Sequence, residues 1–194
     1  MSMKVVSRGL VSVVGKISVV LMGCAMVGCT KPGAEGGAKS PEGGGESSAL
    51  DGKSAPEVVG EFVTGDGPKT VAEAKGTVTI VDFWGTFCEP CKKSFPKLQE
   101  MVDTQAGKLA VIAVSQDDPE EAKAEDIKKF AEELHVSFPI VWDKDKKTAG
   151  AYNPPKMPTS YILDKKGNVR FVHGGYTDGE EEKIAKEVEA LIAE

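Results

Sequence analysis

Two uninterrupted β-branched runs constrain this chain more than any other feature: Thr77 to Trp84 (TVTIVDFW) and Leu109 to Ser115 (LAVIAVS). A strand apolar on both faces must be covered on both faces, as in the centre of a parallel sheet flanked by helices. Between the runs, Phe95, Leu98, Met101 and Val102 recur at near-helical spacing, which predicts a helix from about Cys88 to Thr104, stopped by Gly107. A shorter strand is expected over Glu57 to Val63, ahead of the turn signal Gly65-Asp66-Gly67-Pro68. Asp117-Asp118-Pro119-Glu120 puts acid and proline where a helix start favours them, predicting a helix to about Leu134 with a solvated Glu/Lys exterior. Phe138 to Trp142 is a short apolar piece, and Lys146 to Tyr152 a short helix. Thr159 to Leu163 and Val169 to His173 read as strands joined in a hairpin by Asp164-Lys165-Lys166-Gly167-Asn168. A last amphipathic helix begins at Asp178 and turns Ile184, Val188, Leu191 and Ile192 inward. Central parallel strands, an antiparallel hairpin and a closing helix make a mixed α/β sandwich.

The ends of the chain differ in kind. Residues 1–28 hold Lys4, Arg8 and Lys16 and no acid, so the acidic excess behind the net charge of −6 lies wholly beyond them. The apolar run Ile17 to Val27, about 11 residues, suits an export signal and is too short to span about 30 Å of hydrocarbon. It ends at Val27-Gly28-Cys29 and turns polar at once. Small residues before a cysteine at this point resemble a bacterial lipobox, which makes Cys29 the expected lipidated N-terminus. Leu21-Met22-Gly23-Cys24 competes with it and keeps Cys24 as the alternative. Residues 29–55 are glycine-rich and nearly free of large apolar side chains, so a disordered tether is expected there. The domain division is therefore 1–28 signal peptide, 29–55 tether and 56–194 globular head. The expected location is the bacterial cell envelope, lipid-anchored and facing the periplasm or another extracytoplasmic space. An acidic head excludes nucleic acid as a partner, and after the N-terminus no apolar run reaches about 18 residues.

Cys88-Glu89-Pro90-Cys91 stands where the first central strand hands over to its helix. The chemistry needs that placement. Only a thiolate attacks a disulfide, and unsatisfied N–H groups at a helix start favour the charged sulfur. Two intervening residues bring the second thiol within reach of a mixed disulfide. Pro90 in the first turn costs no intrahelical bond. Glu89 beside Cys88 opposes the thiolate, and Lys92 and Lys93 favour it.

The stretch FWGTFCEPCKKSFP resembles the active site of the TlpA/ResA-like thiol–disulfide oxidoreductases of the thioredoxin superfamily, over about residues 55–194. The resemblance implies a thioredoxin-like three-layer sandwich: a mixed central sheet, flanking helices and a helix-containing insertion over about Asp117 to Trp142. It implies Cys88 as the attacking cysteine, Cys91 as the resolving one, and a redox-active Cys88–Cys91 disulfide in place of any separate cofactor or metal. Asp82, six residues before Cys88, falls where thioredoxins carry a buried carboxylate serving the inner cysteine; the alternative is a structural carboxylate satisfied by a lysine or water. Pro96 matches the proline inside the active-site helix. Met157-Pro158-Thr159 matches the cis-proline loop facing the dithiol, so Met157 and Pro158, with Trp84, Phe87, Glu89 and Pro90, are the expected substrate-contacting residues; the alternative for Trp84, as for Trp142, is a packing residue, with Trp84 also covering the dithiol.

Two departures stand out: Phe87 replaces the usual tryptophan before the first cysteine, and Ser94 replaces a glutamate found in some relatives, which pair it with asparagine at the Asp82 position. The resemblance implies reduction of disulfides in exported protein clients, with cytochrome c maturation as one such service and electrons from an inner-membrane dithiol donor. Competing readings are a copper-delivery module using His173, a peroxiredoxin-like peroxidase, a stabilising disulfide and a zinc site. The peroxidase wants a threonine and an arginine at one cysteine, and Arg170 is the only arginine of the head. His135 and His173 lack paired ligand spacing for zinc, and so short a loop makes a poor staple.

Overall fold

A computed structural model describes residues 48–194. The expected signal segment, most of the tether, and both Cys24 and Cys29 lie outside the described residues. Six strands form one sheet: β1 (Glu61–Thr64), β2 (Val78–Trp84), β3 (Leu109–Ser115), β4 (Ile140–Trp142), β5 (Thr159–Leu163) and β6 (Val169–Gly174). Their order across the sheet is β1-β4-β3-β2-β5-β6. The pairs β2·β3 and β3·β4 are parallel, whereas β1·β4, β2·β5 and β5·β6 are antiparallel. The helices are α1 (Glu89–Thr104), α2 (Ala124–Glu133), α3 (Lys147–Tyr152) and α4 (Glu180–Ala193).

Strand alternation sorts the core into two layers. One face buries Ile80 and Trp84 of β2, Val111 of β3 and Ile140 of β4 against Phe95 and Leu98 of α1, Ile127 of α2 and Val188 and Leu191 of α4. The opposite face buries Val81, Phe83, Ile112 and Val114 against Tyr152 of α3 and Val58, Val71 and Ala74. Both faces of β2 and β3 are covered, as their apolar runs require. The result is a three-layer α/β sandwich with helices α1, α2 and α4 on one side. Among the described residues no helix is long and apolar enough to cross a membrane.

Three expectations need correction. The tether does not run to residue 55. Gly52 and Ala55 donate to the carbonyls of Val169 and Gly167, Val169 donates back to Lys53, and Ser54 bridges Asn168. Backbone hydrogen bonds do most of this docking, with Leu50 and Ala55 packed on the core, and low apolar content does not reveal it. The second helix begins at Ala124, not near Asp117, because Asp117 turns its carboxylate inward and Asp118 to Ala122 form a separate turn. The first strand is confined to Glu61–Thr64, where it borders β4 with a register shift between Phe62 and Thr64.

Candidate active site

Strand β2 ends at Trp84 and α1 begins at Glu89, so Gly85 to Cys88 form the connection at the C-terminal edge of the parallel strands. Cys88 is the N-cap of α1, in extended conformation with φ −88° and ψ 98°, and Pro90 occupies the first turn. Cys88 and Cys91 are joined by a disulfide with an S–S distance of 2.02 Å. Their exposure is unequal: Cys88 is 6% exposed and Cys91 0%. A reaction partner arriving from solvent therefore meets Cys88 first.

The turn before Cys88 is tied down from β3. Asp117 accepts hydrogen bonds from the Thr86 N–H at 3.1 and 3.2 Å and from the Thr86 hydroxyl at 2.5 Å, and from the Ser115 hydroxyl at 2.7 Å. Sequence reasoning missed this clamp. The spacing Ser115-x-Asp117 just past a buried strand was its available signal.

Phe87 is 60% exposed, the most exposed large apolar side chain beside the dithiol. Its ring lies over Gly85, where an added Cβ would stand 2.6 Å from the ring carbon Cε1. Glycine is thus needed for the ring to lie down at this place. Glu89 is exposed and pairs with Lys92 at 2.5 Å, so much of its charge is answered within the first turn of α1. Trp84 does not line a groove. It is fully buried, stacked on Phe130 with centroids 4.9 Å apart and tilted against Phe95 at 4.7 Å. Its place on the inward side of the last β2 residue makes it the floor of the core under the dithiol, a correction to its expected contact with substrate.

Asp82 shares the α1 side of β2 with Ile80 and Trp84, is fully buried, and pairs in register with Ser160 of β5. Ser160 Oγ donates to Asp82 Oδ1 at 2.5 Å, while Oδ2 has no hydrogen-bond partner among the described residues. The partner is thus a serine rather than a lysine. Burial raises the carboxyl's pKa from 3.8 to about 7, opposed by the Ser160 hydrogen bond. Such a carboxyl can take and return a proton near neutral pH.

The Met157–Pro158 peptide is cis and leads directly into β5. The Pro158 carbonyl accepts from the Gly175 N–H at 2.7 Å, and Met157 packs on the cluster that holds both cysteines. Because β5 runs antiparallel to β2, Thr159 pairs with Phe83 near the dithiol end of the sheet. His173 lies at that same end, opposite Ser160, whereas Arg170 lies toward the far end beside Leu163's partner Val169. Arg170 is engaged there by Glu194 at 2.7 and 3.0 Å. Among the described residues no group of three or more His, Cys, Asp or Glu side chains is placed to hold a metal.

Comparison with known proteins agrees with this geometry. The model of the AhpC/TSA family matches residues 52–172. The thioredoxin-like protein YneN of Bacillus subtilis is 34% identical over 125 residues, 64% of this chain and 72% of that protein. The thiol-disulfide oxidoreductase ResA of Bacillus cereus is 35% identical over 98 residues, 50% of this chain and 54% of its own, so the match spans about half of that relative. Among solved structures, a Chlorobium tepidum protein called thiol:disulfide interchange protein DsbE superposes with a TM-score of 0.64 at 29% identity. That superposition covers 73% of this chain and 97% of the other.

Proposed function

The chain belongs to the AhpC/TSA family, with a thioredoxin-like fold and ResA-type thiol–disulfide oxidoreductases among its relatives, and from this premise we propose that it reduces disulfides in exported proteins. One observation carries the reading: a CxxC disulfide whose first cysteine is slightly exposed and whose second is fully buried, at the start of a helix that covers the β2 face carrying the buried Asp82 carboxyl.

The residues then divide the work as follows. In the reduced protein the Cys88 thiolate, favoured by the N–H groups at the start of α1, attacks one sulfur of a client disulfide. The client's other sulfur leaves with the electron pair and takes up a proton. Asp82 removes the proton from Cys91, whose thiolate attacks Cys88 Sγ. That step closes the Cys88–Cys91 bond and releases the second client thiolate. The client is reduced by two electrons, the dithiol is oxidised, and a membrane dithiol donor restores it. Phe87, Pro90 and Met157 offer the apolar surface against which a client segment lies, the expected contact at Pro158 is corrected by its burial to a role in shaping its loop, and Glu89, answered by Lys92, borders the surface. Lipidation at Cys29, or at Cys24, would hold the domain to the envelope membrane, and cytochrome c maturation is one process with such clients.

The competing chemistries have less support. Arg170 lies toward the far end of the sheet from Cys88, away from where a peroxidase would use it. His173 is engaged by two glutamates rather than by a cysteine. The test is trapping. A Cys91→Ser variant expressed as the full chain is expected to accumulate mixed disulfides through Cys88, and their mass identifies the clients. An absence of such adducts in oxidising growth, with Cys88 titratable, refutes the reading. Metabolic labelling with a fatty-acid probe in Cys29→Ser and Cys24→Ser variants tests the anchor.

A further inference from the structure

A carboxyl that takes a proton from Cys91 must pass it on, and Asp82 is closed off from solvent. Its row in the sheet shows where a proton can leave. Toward β3 its register partner is Ala113, buried and without an exchangeable proton. Toward β5 the partner is Ser160, and the row continues to His173 on β6. Directly paired residues project to the same face, so Asp82, Ser160 and His173 all point toward α1 and α4. His173 is pinned there, with Nε2 2.6 Å from Glu187 and Nδ1 3.3 Å from the partly buried Glu180.

Between α1 and α4 lies a cavity of about 20 Å³, lined by Ser94, Pro158, Ser160, His173 and Glu180. Leu98, Met101 and Ile184 make up much of the remaining wall, and Ser94, Ser160, His173 and Glu180 are its polar members; a space of that size admits one water molecule. The charged groups around it are few in kind. Lys97 reaches it from α1 and is paired with Glu100, while Glu180 and Glu181 reach it from the start of α4. Glu187 stands behind His173 with its Oε1 buried and without a hydrogen-bond partner among the described residues.

We propose that Ser160 and this cavity form the path by which Asp82 exchanges its proton with solvent, with Ser160 as a positioning residue and His173 as the polar wall. The inference rests on the assignment of Asp82 as the base for Cys91. Asp82 must be ionised before it can take the Cys91 proton, so the relay readies it for each expulsion. The Ser160 hydroxyl turns to water in the cavity and accepts from Asp82 Oδ1; as the serine's own proton passes to that water, the Asp82 proton moves to Oγ and the starting Ser160–Asp82 bond is re-formed. No electrons move in this relay, and one proton leaves for each one taken from Cys91.

The test uses the reduced full chain with ¹³C-labelled aspartate and two readouts. One is the titration midpoint of the Asp82 carboxyl. The other is the stopped-flow rate at which Cys91 expels thionitrobenzoate from a mixed disulfide on Cys88. Ser160→Ala is expected to move the midpoint upward and slow expulsion about tenfold, and Ser160→Thr to keep both near the parent. Ser94→Leu, which fills the cavity, is expected to slow expulsion while the Ser160–Asp82 bond stays in place. Unchanged expulsion in folded Ser160→Ala or Ser94→Leu overturns the path. An unchanged midpoint in Ser160→Ala overturns the positioning role. A Ser160→Ala chain that does not fold leaves Ser94→Leu to decide. A parent that never expels thionitrobenzoate refutes the oxidoreductase reading instead, and the carboxyl titration still reports how Ser160 holds Asp82.

Discussion

The buried carboxylate of Asp117 grips both the N–H and the hydroxyl of Thr86, two residues ahead of Cys88. The turn that presents the attacking sulfur is thereby fastened to the end of β3 rather than held by its own residues alone. Asp117→Ala leaves the Thr86 donor without its acceptor and is expected to cost roughly 2–4 kcal/mol. It should also slow alkylation of Cys88. Asp117→Asn keeps one acceptor and should fall between. Urea unfolding with an unchanged m-value checks the first effect and iodoacetamide kinetics the second; a variant as stable as the parent rules the clamp out.

Asp82 makes stability depend on pH in a direction opposite to a paired surface carboxylate. Its pKa is raised by burial from 3.8 to about 7, so the fold prefers the protonated form. The contribution is full below about pH 3.8, declines as pH rises from there to about 7, and is lost above. The whole swing is on the order of 4 kcal/mol. Asp82→Asn is expected to flatten this slope in the oxidised protein and to exceed the parent in stability at pH 8, while slowing disulfide resolution. Urea midpoints at pH 4, 6 and 8 decide it, and parallel slopes in the two proteins contradict it.

Phe87 is exposed and adds little to the core. Phe87→Ala is expected to leave unfolding unchanged within about 0.5 kcal/mol and to raise KM for a protein disulfide about fivefold with little change in kcat. Gly85→Ala should mimic part of this effect, because the new Cβ meets the Phe87 ring and pushes it off its place. An insulin-reduction assay across a substrate range separates KM from kcat.

Trp84 should behave as core. Truncating it to alanine opens a cavity beneath Phe95 and Phe130 and is expected to cost about 3–5 kcal/mol. Trp84→Phe should cost far less and retain turnover, since the indole N–H has no hydrogen-bond partner among the described residues. A folded Trp84→Phe protein whose KM rises as steeply as that of Phe87→Ala would restore a substrate-contacting role.

Local pattern carried much of the architecture. The runs at Thr77 to Trp84 and Leu109 to Ser115 lie within one residue of β2 and β3, because a strand buried on both faces must be written as a continuous apolar stretch. The helix after Cys88 and the hairpin after Thr159 were legible for similar reasons, periodicity in one and turn chemistry in the other. The start of α2 was not, since Asp117 suits a helix start by composition and is instead drawn inward by Thr86 and Ser115. For Trp84 the packing reading holds and the substrate-contact reading does not, because adjacency to a motif in sequence says nothing about which face of a strand a side chain occupies.

What the sequence alone determined is the chemistry available, namely two thiols at i and i+3 on a strand-to-helix junction, a carboxylate six residues upstream and an apolar loop at Met157-Pro158. Those depend on residue type and short spacing, which the chain states directly. Only the tertiary structure decided that Ser160, 78 residues from Asp82 along the chain, is its partner, and that Ser160 and His173 face one small cavity. Cross-strand register brings them together, and register is set by how every apolar face of the sheet is buried at once, a property no local stretch of sequence contains.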